Sequence, residues 1–262
     1  MTLPPETPLW WYLLALGMAS VLIGIAKSGF GGGFGLLAVP LVATALPVDR
    51  ALGTWLGILI FADLFAIWQH RHHRSWRHLR WLCYGAVPGI LVGTAVIWQF
   101  RQIGGLTVAL NLVVGTVCIL FVLLQCYRLL GGRVPSIGSG PTGGAGSGLV
   151  AGVVSTLAHS AGPVISIYLL EQRLPKHLLV GTMVSYFFLM NWAKVPSYIG
   201  LGLIQRQNLV EAMLWMPVVP LGSLLGMWVL HRVQQRPFTL IMYLGAVIAG
   251  SRMIYKGVIE IL

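Results

Sequence analysis

Most charged residues in this chain fall in short gaps between long apolar runs, and nothing else restricts its fold so strongly. The long runs are Trp10–Gly29, Ala51–Gln69, Leu82–Gln99, Leu106–Tyr127, Leu178–Ile199, Leu209–Leu230 and Phe238–Tyr255. A helix needs about 20 such residues to cross the hydrocarbon of a bilayer. Only 9% of the 262 residues are charged, where a soluble domain carries roughly a quarter. That is too little to coat a water-facing surface. A soluble enzyme, a disordered chain and a disulfide scaffold are excluded, and an all-α polytopic membrane protein remains. Cys83, Cys118 and Cys126 all lie inside apolar runs, with neither metal-ligand spacing nor a disulfide framework. The first six residues hold Glu6 and no Lys or Arg, so they lack the basic start of a signal peptide and are expected to be retained.

Two apolar runs are too short to span. Phe34–Leu46 reaches only about 20 Å as a helix, and Pro163–Leu170 is shorter. Each follows a break in small or polar residues, Gly31–Gly33 in one case and His159–Ala161 in the other. The pattern predicts a re-entrant or broken helical hairpin in each half. At a constant offset of 128 residues, Gly24 meets Gly152, Leu46-Pro47 meets Leu174-Pro175, Gly53-Thr54 meets Gly181-Thr182, and Asp63 meets Asn191. Glycine and proline thus recur at the same punctuation points. The reading is a duplication. A first repeat, 1–130, has a hairpin over about 9–46 and helices over about 51–69, 82–99 and 104–127. A Gly/Ser/Pro-rich linker occupies 131–147. A second repeat, 148–262, has a hairpin over about 148–173 and helices over about 178–199, 209–230 and 238–256.

Three crossings per repeat is an odd number, so the second copy is expected to be inverted. Alternating the sides places Arg71, Arg74, Arg77, Arg80, Arg128, Arg133, Arg173, Lys176, Arg232 and Arg236 on one face. Arg50, Arg101, Arg206, Arg252 and Lys256 fall on the other. The richer face is expected to be cytoplasmic, with both termini periplasmic. The same topology accounts for the net charge of +11 without a nucleic-acid partner. The stretch His70–His78 is crowded with arginines and lacks carboxylates, so it reads as a solvated loop near anionic headgroups rather than a metal site. Gly144, Gly148 and Gly152 recur every four residues, as in a close-packed helix face.

Inverted repeats with broken helices are a hallmark of secondary transporters. Irregular backbone at membrane depth must line a cavity or be buried in protein. A helix starting there offers free N–H groups and a dipole to an anion. Gly31, Gly32 and Gly33 would let the anion approach the backbone, though small residues also serve tight helix packing. Pro163 suits a first helical turn. Lys27, Asp63 and Lys194 are ionisable residues deep within apolar runs, beside the break residue His159. Charges at such depth are expensive and point to function, although a Lys–Asp pair can also simply tie helices together. Two lysines against one aspartate favour an anion. Ser28, Thr156, His159, Ser160 and Asn191 offer hydrogen bonds to its oxygens. Asp63 is either a proton carrier or a partner holding a lysine.

Two strings resemble a known family. One is Gly29-Phe-Gly-Gly-Gly-Phe-Gly-Leu-Leu-Ala-Val-Pro40. The other runs from His159-Ser-Ala-Gly-Pro-Val-Ile-Ser-Ile-Tyr through Pro175-Lys176 and Gly181-Thr182 to Asn191-Trp-Ala-Lys194-Val-Pro-Ser-Tyr198. They resemble the TauE/SafE sulfite-exporter family of bacterial membrane transporters, over about Leu14 to Tyr255. The resemblance implies about eight helices and transport of small sulfur-containing anions such as sulfite, sulfoacetate or other sulfonates. The family often has paired glycines where this chain has Ser160-Ala161-Gly162, a change that bears on selectivity.

The expected protein is a secondary transporter in the bacterial inner membrane, not an enzyme. Its partners are the bilayer and a small anion held at two hairpin tips near the midplane. The alternatives are an anion channel on the same scaffold or a carrier of a non-sulfur carboxylate or oxyanion. No cofactor is expected and no ATP-binding loop is present, so energy must come from an ion or substrate gradient, or from a partner protein. Protons and sodium are both open as coupling ions. His159 beside Ser160 is the one pair that suggests enzymatic chemistry, and adjacent residues on a turn seldom point together.

Overall fold

The computed structural model of the chain describes residues 7–27, 38–70, 73–132, 138, 140–232 and 235–260. All regular structure among them is helical. The first hairpin has α1 (Leu9–Ile25), which continues through Ala26 and Lys27 as a wider π-type turn, and the short α2 (Ala38–Val42). Its expected tip, Ser28 and Gly31–Gly33, lies outside the described residues. Then come α3 (Val48–His70), α4 (Trp76–Gln102) and α5 (Leu106–Leu129). The second half has α6 (Pro141–Ala158), α7 (Gly162–Glu171), α8 (Lys176–Gly200), α9 (Arg206–Trp215), α10 (Val218–Arg232) and α11 (Gln235–Ile259). Among the described residues, five stretches are long and apolar enough to cross a membrane: Val48–Trp68, Trp76–Gln102, Leu106–Tyr127, Lys176–Gly200 and Arg206–Leu225. The sixth expected span, 238–256, falls within α11.

Three boundaries differ from the sequence reading, and the first is that α4 begins at Trp76 rather than about 82, taking in the end of the expected His70–His78 loop. The helix of the second hairpin starts at Pro141, inside the expected linker 131–147. Pro141 fits the first turn, where a missing N–H costs nothing, and the glycines beyond it are held by packing on α4. The expected single helix 209–230 is two pieces, α9 and α10, parted at Met216-Pro217. Proline has no N–H to continue the ladder, and its ring crowds the preceding turn.

Glycine sets the closest helix contacts. In α4, Gly85, Gly89 and Gly93 face α6, whose Gly144, Gly148 and Gly152 face back. A Cβ added at Gly152 would stand 2.6 Å from the Ala86 carbonyl oxygen and 3.0 Å from Gly89 Cα. Partners advance together along both chains, from Gly85 on Ala145 to Gly93 on Thr156, so α4 and α6 run parallel. The pair α1 and α10 repeats the arrangement, with Gly24 against Gly222 and Ser223, while Gly17 lies against Trp215 at the end of α9. Small residues at such seams let helices approach where lipid offers no hydrophobic drive.

Two other pairs run antiparallel. Near the start of α3, Leu52 lies by His159 and hence by Tyr198 near the end of α8. Midway, Asp63 meets Asn191. Beyond the end of α3, the Ser75 N–H donates to Thr182 Oγ1 (2.8 Å) near the start of α8. In the same sense α5 crosses α11, with Phe121 beside Tyr243 and Gly115 against Gly250. The main core gathers α1, α2 and α3 around Trp55, Leu52 and Leu56, all fully buried. At the last residue of α3, burial and the neighbouring His73 lower the pKa of the His70 imidazole below its ordinary value. His73 itself stacks edge-on against His177, with ring centroids 5.1 Å apart.

Candidate functional site

The crossing of α3 and α8 brings together residues that sequence alone placed in separate runs. Asp63 is fully buried on α3. One of its carboxylate oxygens is ion-paired with Lys27, at the end of α1, and the other accepts a 2.5 Å hydrogen bond from Asn191 Nδ2. Lys27 Nζ also lies 4.9 Å from the centroid of the Phe187 ring, a cation–π contact. A carboxylate without such partners at this depth would be costly.

One turn along α8, Lys194 is fully buried as well. Its Nζ donates to the Ser155 carbonyl oxygen (3.2 Å), lies 2.9 Å from Ser155 Oγ, and is 2.9 Å from His159 Nδ1. Among the described residues no carboxylate pairs with it. His159 sits at the break after α6 with φ 52°, a left-handed conformation uncommon outside glycine. Its backbone N–H closes the helix on Ser155 O (3.0 Å). The bonds fix its tautomer. Nε2 faces the Leu52 carbonyl oxygen at 3.1 Å, which only accepts, so Nε2 carries the proton and Nδ1 accepts from Lys194. The Tyr198 hydroxyl donates to the Thr156 carbonyl oxygen (2.7 Å) and presents its oxygen to Nε2 at 3.3 Å.

A cavity of about 390 Å³ opens beside this cluster. Lys27, Asn191, Ser155 and His159 form its polar end. Lys176, Leu179, Val180, Met183, Val184 and Phe187 follow one face of α8 from its N-terminus inward, an apolar stripe that leads from the exposed Lys176 to Asn191. The arrangement offers a donor-rich polar end inside an apolar vestibule, the form of a small-molecule pocket.

A model of the sulfite exporter TauE/SafE family matches residues 16–253. The chain belongs to that family. Searches of curated proteins and of solved structures return no match. As a TauE/SafE protein with five candidate spans, the chain is a multi-pass membrane protein of a transporter family rather than of an enzyme family.

Within this TauE/SafE chain, Lys27, Asp63 and Asn191 form one bonded group, and Lys194, Ser155 and His159 form a second, one turn further along α8. Thr156 does not join the cavity: its hydroxyl donates back to Gly152 O (2.9 Å), and its methyl end packs on Gly93. The Ser160 hydroxyl donates to Ala158 O (2.8 Å) within the break. Ser28 and Gly31–Gly33 lie outside the described residues. Ser155, Phe187 and Tyr198 are site residues that sequence reasoning missed. A signal for Ser155 was available, because the 128-residue offset that pairs Asp63 with Asn191 also pairs Lys27 with Ser155.

A second buried cluster was also missed. Glu211 on α9 is fully buried and ion-paired with Arg50 through Nη2, with Arg50 Nε at 3.2 Å, and it accepts from Thr54 Oγ1 at 2.9 Å. It ties the start of α3 to α9, away from the Lys176 end of the cavity.

Proposed function

We propose that this protein is a secondary transporter of a small sulfur-containing anion, sulfite or a sulfonate, across the bacterial inner membrane. The observation that carries the reading is the cavity whose inner end joins Lys27, Asn191 and the Lys194–Ser155–His159 cluster. Lys27 uses one N–H on Asp63 and Asn191 uses one of its two. Their remaining donors are available to the oxygens of a sulfite or sulfonate head, and Lys194 contributes charge at short range.

The architecture proposed is two inverted repeats. Under the 128-residue offset α3 corresponds to α8 and α5 to α11, and both pairs cross antiparallel. The parallel pair α4 and α6 corresponds in the same way to α10 and α1. Gly53 faces the Leu203 carbonyl while its counterpart Gly181 faces the His73 carbonyl. These reciprocal contacts support a twofold relation with its axis near Asp63 and Asn191. A carrier of this kind exposes its central site alternately by rocking one part against another. The vestibule leads to Lys176, on the face richer in Lys and Arg, so the conformation described is read as open to the cytoplasm.

The experiment is a thermal-shift panel on detergent-purified protein with sulfite, sulfoacetate, methanesulfonate, sulfate, acetate and phosphate at equal ionic strength. A ligand that binds only the folded state raises its apparent stability. Selective stabilisation by a sulfur anion supports the proposal. Stabilisation by acetate or phosphate alone removes the sulfur assignment, and silence from every anion removes the site.

A further inference from the structure

Lys194 is the one buried lysine of the cluster that lacks a carboxylate among the described residues. Its three neighbours are neutral: the Ser155 carbonyl, the Ser155 hydroxyl and His159 Nδ1. An ammonium satisfies all three by donating three hydrogen bonds. A neutral amine satisfies them too. It donates to the Ser155 carbonyl and to His159 Nδ1, and its lone pair accepts from the Ser155 hydroxyl, which rotates from acceptor to donor. His159 cannot take over that reversal, because the Leu52 carbonyl holds its proton on Nε2. The Ser155 hydroxyl is therefore the element that lets Lys194 hold either protonation state without an orphaned polar group.

An isolated charge buried in apolar surroundings is costly without a counter-charge. Lys27 and Asp63 already neutralise one another. An anion entering the cavity, against Ser155 and His159, is the counter-charge that Lys194 otherwise lacks. We propose that each anion binds together with one proton, taken up on Lys194 Nζ, so that the protein is a proton-coupled anion symporter with Lys194 as the proton site and Ser155 as its switch. The step is balanced: one proton from water adds to the Nζ lone pair, one anion of unit charge enters, and the net charge is unchanged. The proposal rests on reading the cavity as an anion site.

Among the described residues, the titratable groups facing Lys194 are few. The charges nearby are Asp63 on α3 and Lys27 at the end of α1, which are paired with each other. His159 acts from the α6–α7 break, and Tyr198 lies one turn further on α8. On the α4 side, Cys83 packs against the core cluster that contains Tyr186. Apart from Tyr168, the only titratable residue of α7 is Glu171, at its far end.

The test uses purified full-length protein and methanesulfonate, a monoanion that does not titrate near neutral pH. Binding is read by calorimetry and proton exchange by a pH indicator in weak buffer. The expected result is uptake of about one proton per anion bound, with affinity falling by up to about tenfold per pH unit on the alkaline side. Binding without uptake overturns the coupling and leaves the anion site standing. Absence of binding by both methanesulfonate and sulfoacetate overturns the anion site and the coupling with it. Lys194→Arg, whose guanidinium stays charged, is expected to take up less than half as many protons per anion; uptake at the wild-type ratio moves the proton site elsewhere. Ser155→Ala guards against misfolding of that variant. It keeps Lys194 but deprives the amine of its donor, so uptake is again expected to fall below half, and wild-type uptake in it overturns the role of Ser155.

Discussion

Asn191 and Asp63, separated by 128 residues, are joined by a 2.5 Å hydrogen bond from Asn191 Nδ2 to Asp63 Oδ2 at the crossing of α3 and α8. An amide and a carboxylate are complementary there, because one donates and the other accepts. Asn191→Asp sets two carboxylates against each other and removes the donor. Asp63→Asn leaves Lys27 without its counter-charge. Each single change is expected to reduce anion flux in proteoliposomes by at least about tenfold at matched protein. The exchanged pair, Asp63→Asn with Asn191→Asp, restores one donor and one acceptor and is expected to recover part of the flux. A double variant no better than either single one would show that the two side chains act separately.

The same pair shows how far the sequence could be read. A 128-residue offset in glycine and proline positions was enough to align Asp63 with Asn191, and a break at His159 was visible as a polar interruption before Pro163. Ser155 was not singled out, since a serine in an apolar run carries no charge to mark it. Its role comes from Lys194, 39 residues away. The start of α6 was hidden because glycine-rich sequence looks alike in a linker and in a helix seam. Only the backbone of α4 lying against Gly144 and Gly148 distinguishes the two. Arg50 and Glu211 are 161 residues apart, and their contact depends on how α3 and α9 cross, which local patterns do not encode.

That ion pair makes a stability prediction. Glu211 is fully buried and satisfied by Arg50 and Thr54. Removing one member of a buried pair leaves the other charge uncompensated, which costs about 3–5 kcal/mol. Glu211→Ala should lower the melting temperature clearly. The double variant Arg50→Leu with Glu211→Leu should lose less than Glu211→Ala alone, since no lone charge remains. A double variant that melts below the single one would mean that the pair contributes more than mutual neutralisation.

The α4–α6 seam predicts a different kind of failure. Gly89 and Gly152 face one another, and a Cβ on Gly89 would stand 3.0 Å from Gly152 Cα. The obstacle is backbone, which cannot rotate away as a side chain end can. Gly89→Val is therefore expected to cost more than the usual 1–3 kcal/mol of overpacking, and to give aggregated protein on size-exclusion chromatography. Gly146, which has open space around its Cβ direction on the same helix as Gly152, should accept alanine with a normal elution profile. Equal behaviour of the two variants would remove the seam as the reason for the glycine spacing.

The vestibule predicts which membrane face reaches the site. Met183 lies on the cavity wall, two turns from Lys176 and two turns from Asn191 along α8. In a protein whose native Cys83, Cys118 and Cys126 are replaced by serine or alanine, Met183→Cys should react with a membrane-impermeant thiol reagent. The arginine and lysine distribution puts the mouth at the cytoplasm, so inside-out vesicles should label and right-side-out vesicles should not. Methanesulfonate filling the cavity should slow the labelling, by at least about threefold at saturating concentration. Labelling only from the periplasmic side would reverse the orientation. Labelling that is indifferent to methanesulfonate, under conditions where binding is measured, would place the anion away from this cavity.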